Sequence, residues 1–127
     1  MSYNVLVVDD SKTARMMLAK MLRISGLPVN EVFIAENGSE ALSMLKANWI
    51  DLVITDLHMP VMTGIEMIEA MAKDGLLESV PVVVVTSDSS QQRMNDLRDL
   101  GIRDYLCKPV RPESVKAVVE EILETDA

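Results

Sequence analysis

The sequence predicts an α/β fold in which five βα units build one parallel sheet. Two observations carry this. Short apolar runs alternate with segments of helical period along the whole chain, and strands alternating with helices form parallel sheets because each crossover lays a helix across a sheet face. In addition, four of the runs end in a charged or hydroxyl residue: residues 5–8 lead into Asp9 and Asp10, residues 50–55 into Asp56, residues 82–85 into Thr86, and residues 105–107 into Lys108. Open α/β sheets bind ligands at the C-terminal ends of their strands. Three carboxylates, a hydroxyl and an ammonium are therefore expected to converge on one edge.

Taken in order, the first strand is followed by a helical segment in which Ala14, Met17, Leu18, Met21 and Leu22 recur at i, i+3, i+4, i+7 and i+8, with Gly26 placed to stop it. Those five residues are its expected inner face. A second strand is expected at residues 31–35, then a helix from about Ser39 that buries Ala41, Met44 and Leu45. Residues 50–55 read as a strand covered on both faces. After Gly64, a third helix is marked by Ile65, Ile68 and Ala72, and the consecutive valines at residues 82–85 read as a central strand. The segment Gln91–Leu100 has Met94 and Leu97 as almost its only apolar anchors, so that helix should be weakly held and repositionable. The last helix, residues 112–123, has Pro112 in its first turn and buries Val115, Val118, Val119 and Ile122, leaving residues 125–127 as a tail.

At 127 residues the chain fits one domain, residues 1–127, whose core needs no disulfide or structural metal. No output domain is expected. Cys107 has no partner for an internal disulfide and no C-x-x-C pair is present, which points to a reducing compartment, the cytoplasm. The run before Asp9 is too short for a secretory signal, and the longest apolar run cannot cross a bilayer. A net charge of -8 opposes nucleic-acid backbones and anionic membrane surfaces, and no basic cluster with interleaved aromatics offsets it. A monomer whose partners are other proteins is expected.

Asp56 is the natural centre of the chemistry. A carboxylate is a weak nucleophile, yet an aspartyl phosphate forms when the reacting groups are held in place and their negative charge is neutralised. Two unit charges about 4 Å apart interact by roughly 4 kcal/mol at an effective dielectric near 20, so Asp9, Asp10 and Asp56 beside a phosphoryl group require a divalent cation. Mg²⁺, or Mn²⁺ in its place, suits such a site because it takes hard oxygen ligands and commonly uses one or two carboxylates plus phosphate oxygens. Lys108 would add a point charge to the phosphoryl oxygens and Thr86 a hydroxyl hydrogen bond. Each residue also has a plainer reading: Lys108 as a surface lysine paired with an acid, Asp9 and Asp10 as acids at a helix N-terminus, and Thr86 as a common strand-ending residue.

The stretch DLHMPVMTG, residues 56–64, resembles the D-x-x-M-P-x-M-x-G signature of response-regulator receiver domains. The Asp9 and Asp10 pair supports it, and GIRDYLCKP, residues 101–109, is similar to the family's G-x-x-x-Y/F-x-x-K-P ending. The likeness covers essentially the whole chain and is to the CheY-like, stand-alone type. It implies a flavodoxin-like, CheY-like (βα)5 fold with a doubly wound five-stranded parallel sheet in the order 2-1-3-4-5. It further implies that Asp56 accepts a phosphoryl group from a sensor histidine kinase, and that Asp10 and Asp56 ligate Mg²⁺. Asp9 would help through a bound water, and the backbone carbonyl of His58 would be a further ligand. Thr86 and Lys108 would contact the phosphoryl group, Tyr105 would be the aromatic whose inward turn accompanies movement of Thr86, and the bond between Lys108 and Pro109 would be cis. His58 and Asp88 fall at positions that tune phosphoryl lifetime in related proteins, although His58 also reads as a rim residue without chemistry of its own.

Phosphorylation would draw in Thr86 and Lys108, Tyr105 would fill the vacated space, and the helix at Gln91–Leu100 would shift. A downstream protein would read the surface that this helix forms with the last strand and last helix. A plainer reading of Tyr105 is a packed aromatic at a strand end. Turning an equilibrium from 1:99 to 99:1 takes about 5.5 kcal/mol of differential interaction, so one ion pair and one hydrogen bond should activate only partly without a bound partner. The chain is thus expected to be a signalling switch that catalyses only its own phosphorylation and dephosphorylation, chemotaxis-type signalling being favoured over relay to a histidine phosphotransfer protein. A flavodoxin-like carrier would need a Ser/Thr/Gly-rich phosphate loop where DDSKT stands, and a haloacid-dehalogenase-type phosphatase a D-x-D in which His58 replaces the second acid. The ten methionines read as adaptable core and rim filler in preference to a target-binding groove, Cys107 as a small hydrophobe on a buried strand, Lys12 and Arg15 as solvated charges, and Trp49 as lying at the edge opposite Asp56.

Overall fold

The computed structural model describes residues 2–88 and 90–126. Strands β1 (Tyr3–Val8), β2 (Val29–Ala35), β3 (Leu52–Asp56), β4 (Val82–Thr86) and β5 (Asp104–Cys107) form one parallel sheet in the order β2-β1-β3-β4-β5. They alternate with helices α1 (Lys12–Ile24), α2 (Gly38–Ala47), α3 (Gly64–Lys73), α4 (Gln91–Leu100) and α5 (Pro112–Asp126), and a 3₁₀ turn at Leu76–Glu78 precedes β4. This is the doubly wound, flavodoxin-like arrangement that the sequence predicts. Its strand order reverses at β1, and right-handed crossovers leaving in opposite directions place helices on opposite faces.

Strand side chains alternate between the two faces. Val5, Val7, Leu52, Ile54, Val83 and Val85 pack with Leu18 and Leu22 of α1 and Val115 and Val119 of α5. The intervening Leu6, Val8, Val53, Val82 and Val84 pack with Ala41 of α2, Met67, Ile68 and Met71 of α3, and Met94 and Leu97 of α4. Every residue of β3 and β4 is buried, as runs without alternation require. The middle of the sheet is β3, with β4 beside it. Four helices start on side-chain caps: Ser11, Asn37, Thr63 and Ser90 accept from the backbone N–H three residues on, and Thr63 and Glu66 complete a capping box.

Several expectations are corrected. Helix α1 buries Arg15, Leu18, Ala19 and Leu22, while Met17 is 52% exposed. Helix α3 buries Met67, Ile68 and Met71 and leaves Ala72 exposed; the burial of Met67 agrees with its reading as core filler. Helix α5 continues to Asp126, which takes residues 125 and 126 out of the expected tail, and residue 127 lies outside the described residues. Cys107 is exposed: β5 is an edge strand, and Leu106, which faces α5, is its one buried residue. Among the described residues no helix is long and apolar enough to cross a membrane.

Candidate functional site

Sheet register assembles the site. Val8 pairs with Thr55, Asp56 with Val85, and Thr86 with Cys107. Asp9 therefore emerges beside Asp56, with Thr86 and Lys108 just past the ends of the next two strands. Asp9 and Asp56 are buried and Asp10 is exposed, and one carboxylate oxygen from each lies within 4.8 Å of the others. Lys108 Nζ stands 3.4 Å from Asp56 Oδ2. Together these groups line a cleft of about 390 Å³ with Ser11, Ala14, Met17, Met21 and Pro109.

Backbone donors hold the acids in place. The Leu57 N–H donates to Asp56 Oδ1 at 2.8 Å, and the Ser11 N–H donates to Asp9 Oδ1 at 2.8 Å. Burial pushes the Asp9 carboxyl above its ordinary range; the neighbouring charges of Asp56 and Asp10 push the same way, against the Ser11 hydrogen bond and Lys108. The loop after β3 is fixed from behind. Gly64 N–H donates to the Leu57 carbonyl at 3.0 Å, and a Cβ on Gly64 would collide with the carbonyl oxygen of Asp56 and lie 2.9 Å from Leu57 Cα. Only glycine lets α3 start so close to the nucleophile candidate.

Thr86 is buried at the end of β4, but its hydroxyl is engaged away from Asp56. It donates to the Asp88 carbonyl at 3.2 Å and accepts from the Asp88 N–H at 3.0 Å. Asp88 in turn accepts from the Ser90 N–H at 3.0 Å and lies 3.7 Å from Arg93 Nε, and these contacts hold its carboxyl below the usual range. Tyr105 is half-buried against the core on the α4 side. His58 is exposed on the loop that follows Asp56, and the peptide bond between Lys108 and Pro109 is cis. Trp49 is 81% exposed at the N-terminal end of β3, at the edge opposite Asp56.

One site residue runs against expectation. Arg15 is 7% exposed, and its Nη1 donates to the Asp9 carbonyl at 2.8 Å while Nη2 lies 3.9 Å from Glu36 Oε1. It is a buried brace under the acidic cluster, not a solvated charge. The sequence carried the signal: Arg15, Leu18, Ala19 and Leu22 fall at i, i+3, i+4 and i+7.

A divalent cation fits the residues present, because three hard oxygen donors converge from two buried acids and an exposed one and no thiol or imidazole competes within the set. A buried carboxylate beside an ammonium and an acid pair able to hold a cation is suited to accepting an electrophilic, highly charged group.

The chain belongs to the response regulator receiver domain family, whose model matches residues 5–120. It is 32% identical over 120 residues to the chemotaxis protein CheY of Pseudomonas aeruginosa, covering 94% of this chain and 95% of that one. It is 35% identical over 119 residues to the two-component response regulator ORR6 of Oryza sativa subsp. japonica, covering 94% of this chain and 70% of the relative. Among solved structures, the chemotaxis response regulator CheY4 of Vibrio cholerae superposes with a TM-score of 0.86 at 30% identity over 96% of this chain and 99% of that one. This membership places the chain in two-component signalling.

Proposed function

We propose that the protein is a cytoplasmic switch that accepts a phosphoryl group on Asp56 from the phosphohistidine of a sensor kinase. The observation that carries this reading is a buried carboxylate with Lys108 at 3.4 Å and two further acids clustered with it. In the transfer, Asp56 Oδ2 forms a bond to phosphorus as the bond from phosphorus to the donor imidazole nitrogen breaks. The electron pair of the broken bond stays on that nitrogen, which takes up a proton. With acetyl phosphate the leaving group is acetate. The Leu57 N–H anchors Oδ1 and leaves Oδ2 toward the cleft. Mg²⁺, bound by Asp10 and Asp56, by Asp9 through a water and by the His58 carbonyl, would neutralise charge on the transferring group. Lys108 would hold a phosphoryl oxygen.

Once Asp56 is modified, the Thr86 hydroxyl exchanges its Asp88 backbone partners for a phosphoryl oxygen, Tyr105 turns inward, and α4 shifts against β5 and α5. Helix α4 suits this role because Met94 and Leu97 are its only buried residues. His58, two residues after Asp56, and Asp88, two after Thr86, would tune the lifetime of the product. Chemotaxis-type output is favoured over a relay role because the likeness to the Pseudomonas chemotaxis protein spans 95% of that protein. The test is intact mass after incubation with acetyl phosphate. One phosphoryl adduct is expected with Mg²⁺, none after chelation and none in Asp56→Asn. A full-level adduct in Asp56→Asn would place the acceptor elsewhere.

A further inference from the structure

A groove of about 680 Å³ runs between the outer side of α1 and the face of β2, away from the acidic cleft. Of its lining, Met17 also borders the acidic cleft and Arg15 braces the Asp9 carbonyl, whereas the other residues have no part in the phosphoryl site as described. Met16 (61%), Ile24 (66%) and Ile34 (44%) are large apolar side chains left exposed. Lys20 and Arg23 are exposed on α1 beside them, and α1 carries four cations and no acid although the whole chain is at -8. Arg15 also lines the groove, and its buried Nε has no hydrogen-bond partner among the described residues.

Strand β2 bounds this groove and is the edge of the sheet, with β1 as its single strand neighbour among the described residues. Along an edge strand every second N–H and C=O points away from the sheet, and proteins usually protect such edges with charges or proline. Here Glu31 lies with Phe33 on the other face, and the groove side offers Val32 and Ile34. We propose that the groove receives an extended segment of a partner protein that adds to the sheet beside β2 and carries both apolar and acidic residues at the alternate positions facing α1. Backbone pairing supplies the attachment, the apolar side chains lie against Met16, Ile24 and Ile34, and the acids meet Lys20 and Arg23. A second copy of this chain is disfavoured, because pairing β2 with β2 would bring one cationic α1 toward another.

The probe is a capped heptapeptide of sequence Val-Ser-Glu-Ser-Val-Ser-Glu, whose valines and glutamates share one face, matched to the seven residues of β2 and titrated into the ¹⁵N-labelled full chain without phosphodonor. The amides of Val29–Ala35 that face away from β1 are expected to shift and to exchange with solvent at least about tenfold more slowly. Lys20→Glu with Arg23→Glu, both surface changes, should weaken binding at least about tenfold, and a lysine–valine peptide should then bind the reversed chain. Replacing the serines of the peptide with proline, which removes backbone donors and leaves the groove-facing side chains, should abolish binding. The proposal fails if millimolar peptide shifts nothing, if shifts fall on α1 with unchanged exchange in β2, if the lysine peptide binds the native chain equally, or if sedimentation shows a dimer that the peptide dissociates.

Discussion

Substituting Gly64 by alanine tests whether the backbone behind Asp56 is as closely packed as the structure requires. The new Cβ meets the Asp56 carbonyl oxygen and would stand 2.9 Å from Leu57 Cα and 3.2 Å from the Asp56 carbonyl carbon. Carbon atoms pack at about 3.5 Å or more, so the chain must yield by about 0.6 Å at Leu57. Both obstacles are backbone, and no side-chain rotation relieves them. Overpacking of this kind costs about 1–3 kcal/mol, readable as a lower midpoint in urea with an unchanged slope. The same movement displaces Asp56 relative to Lys108, and a misplacement near 1 Å can slow a positioned reaction by roughly 100-fold. Labelling from acetyl phosphate should therefore slow by at least about tenfold. Gly75→Ala is the control: it sits at φ 75 with nothing within 4 Å, so it should lower stability by about 1 kcal/mol and leave labelling alone. Native stability and labelling rate in Gly64→Ala would refute the close approach of α3 to the acceptor.

Lys108→Ala should still label on Asp56, more slowly, while losing most of the partner-binding response, because the lysine is placed to hold the product and not to form it; full signalling by the variant in a partner-binding assay would contradict this. Thr63→Ala should cost about 1 kcal/mol by removing the cap of α3, measured in urea. Hydrogen bonds from Thr63 hold the Glu66 carboxyl below its ordinary value, so that contribution is present above the unfolded value and is lost as pH falls through the folded one. NMR titration of Glu66 should accordingly show its midpoint rising in the variant. Trp49 fluorescence should barely respond to Mg²⁺ or acetyl phosphate, since the indole is at the opposite edge and bonded to Asp51 Oδ1 at 3.1 Å; a large change would place the indole in communication with the acidic cleft.

The convergence of Asp9, Asp10, Asp56, Thr86 and Lys108 was legible because strand ends are marked by where apolar runs stop, and parallel strands bring their ends to one edge whatever the loop details. Helix Gln91–Leu100 was legible for a related reason: its polarity leaves only one way to anchor it. Burial at the edge strand was not, and for Arg15 two helical phases of α1 competed. An apolar stripe reads Met17 inward and Arg15 outward, yet the Asp9 carbonyl offers a partner that makes the arginine the better buried residue, and that partner exists only once β1 and α1 are folded together. Cys107 was misjudged because alternation says which way a residue points, whereas exposure at an edge strand depends on how far the neighbouring helices reach. The engagement of Thr86 with Asp88 was likewise hidden, since it is set by the turn after β4 and not by residue spacing.

The acidic cluster should itself be a source of instability that the protein tolerates for its chemistry. Two carboxylates with oxygens within 4.8 Å of each other repel by at least about 3 kcal/mol at an effective dielectric near 20. Lys108 offsets part of this, and exposure of Asp10 screens more. Asp9→Asn removes one charge from the cluster while keeping an oxygen to accept the Ser11 N–H, so without metal the variant should gain on the order of 1 kcal/mol, or roughly 4 °C in Tm. Mg²⁺ at about 100 times its Kd should stabilise the parent by about 2.7 kcal/mol, and the variant, short of a donor, much less. The order of stability should therefore reverse as Mg²⁺ is added, and calorimetry of the two chains with Mg²⁺ and with chelator reads it directly. If the variant is the less stable chain in chelator, or if Mg²⁺ raises both equally, then the three carboxylates are neither mutually repelling nor shared by one ion.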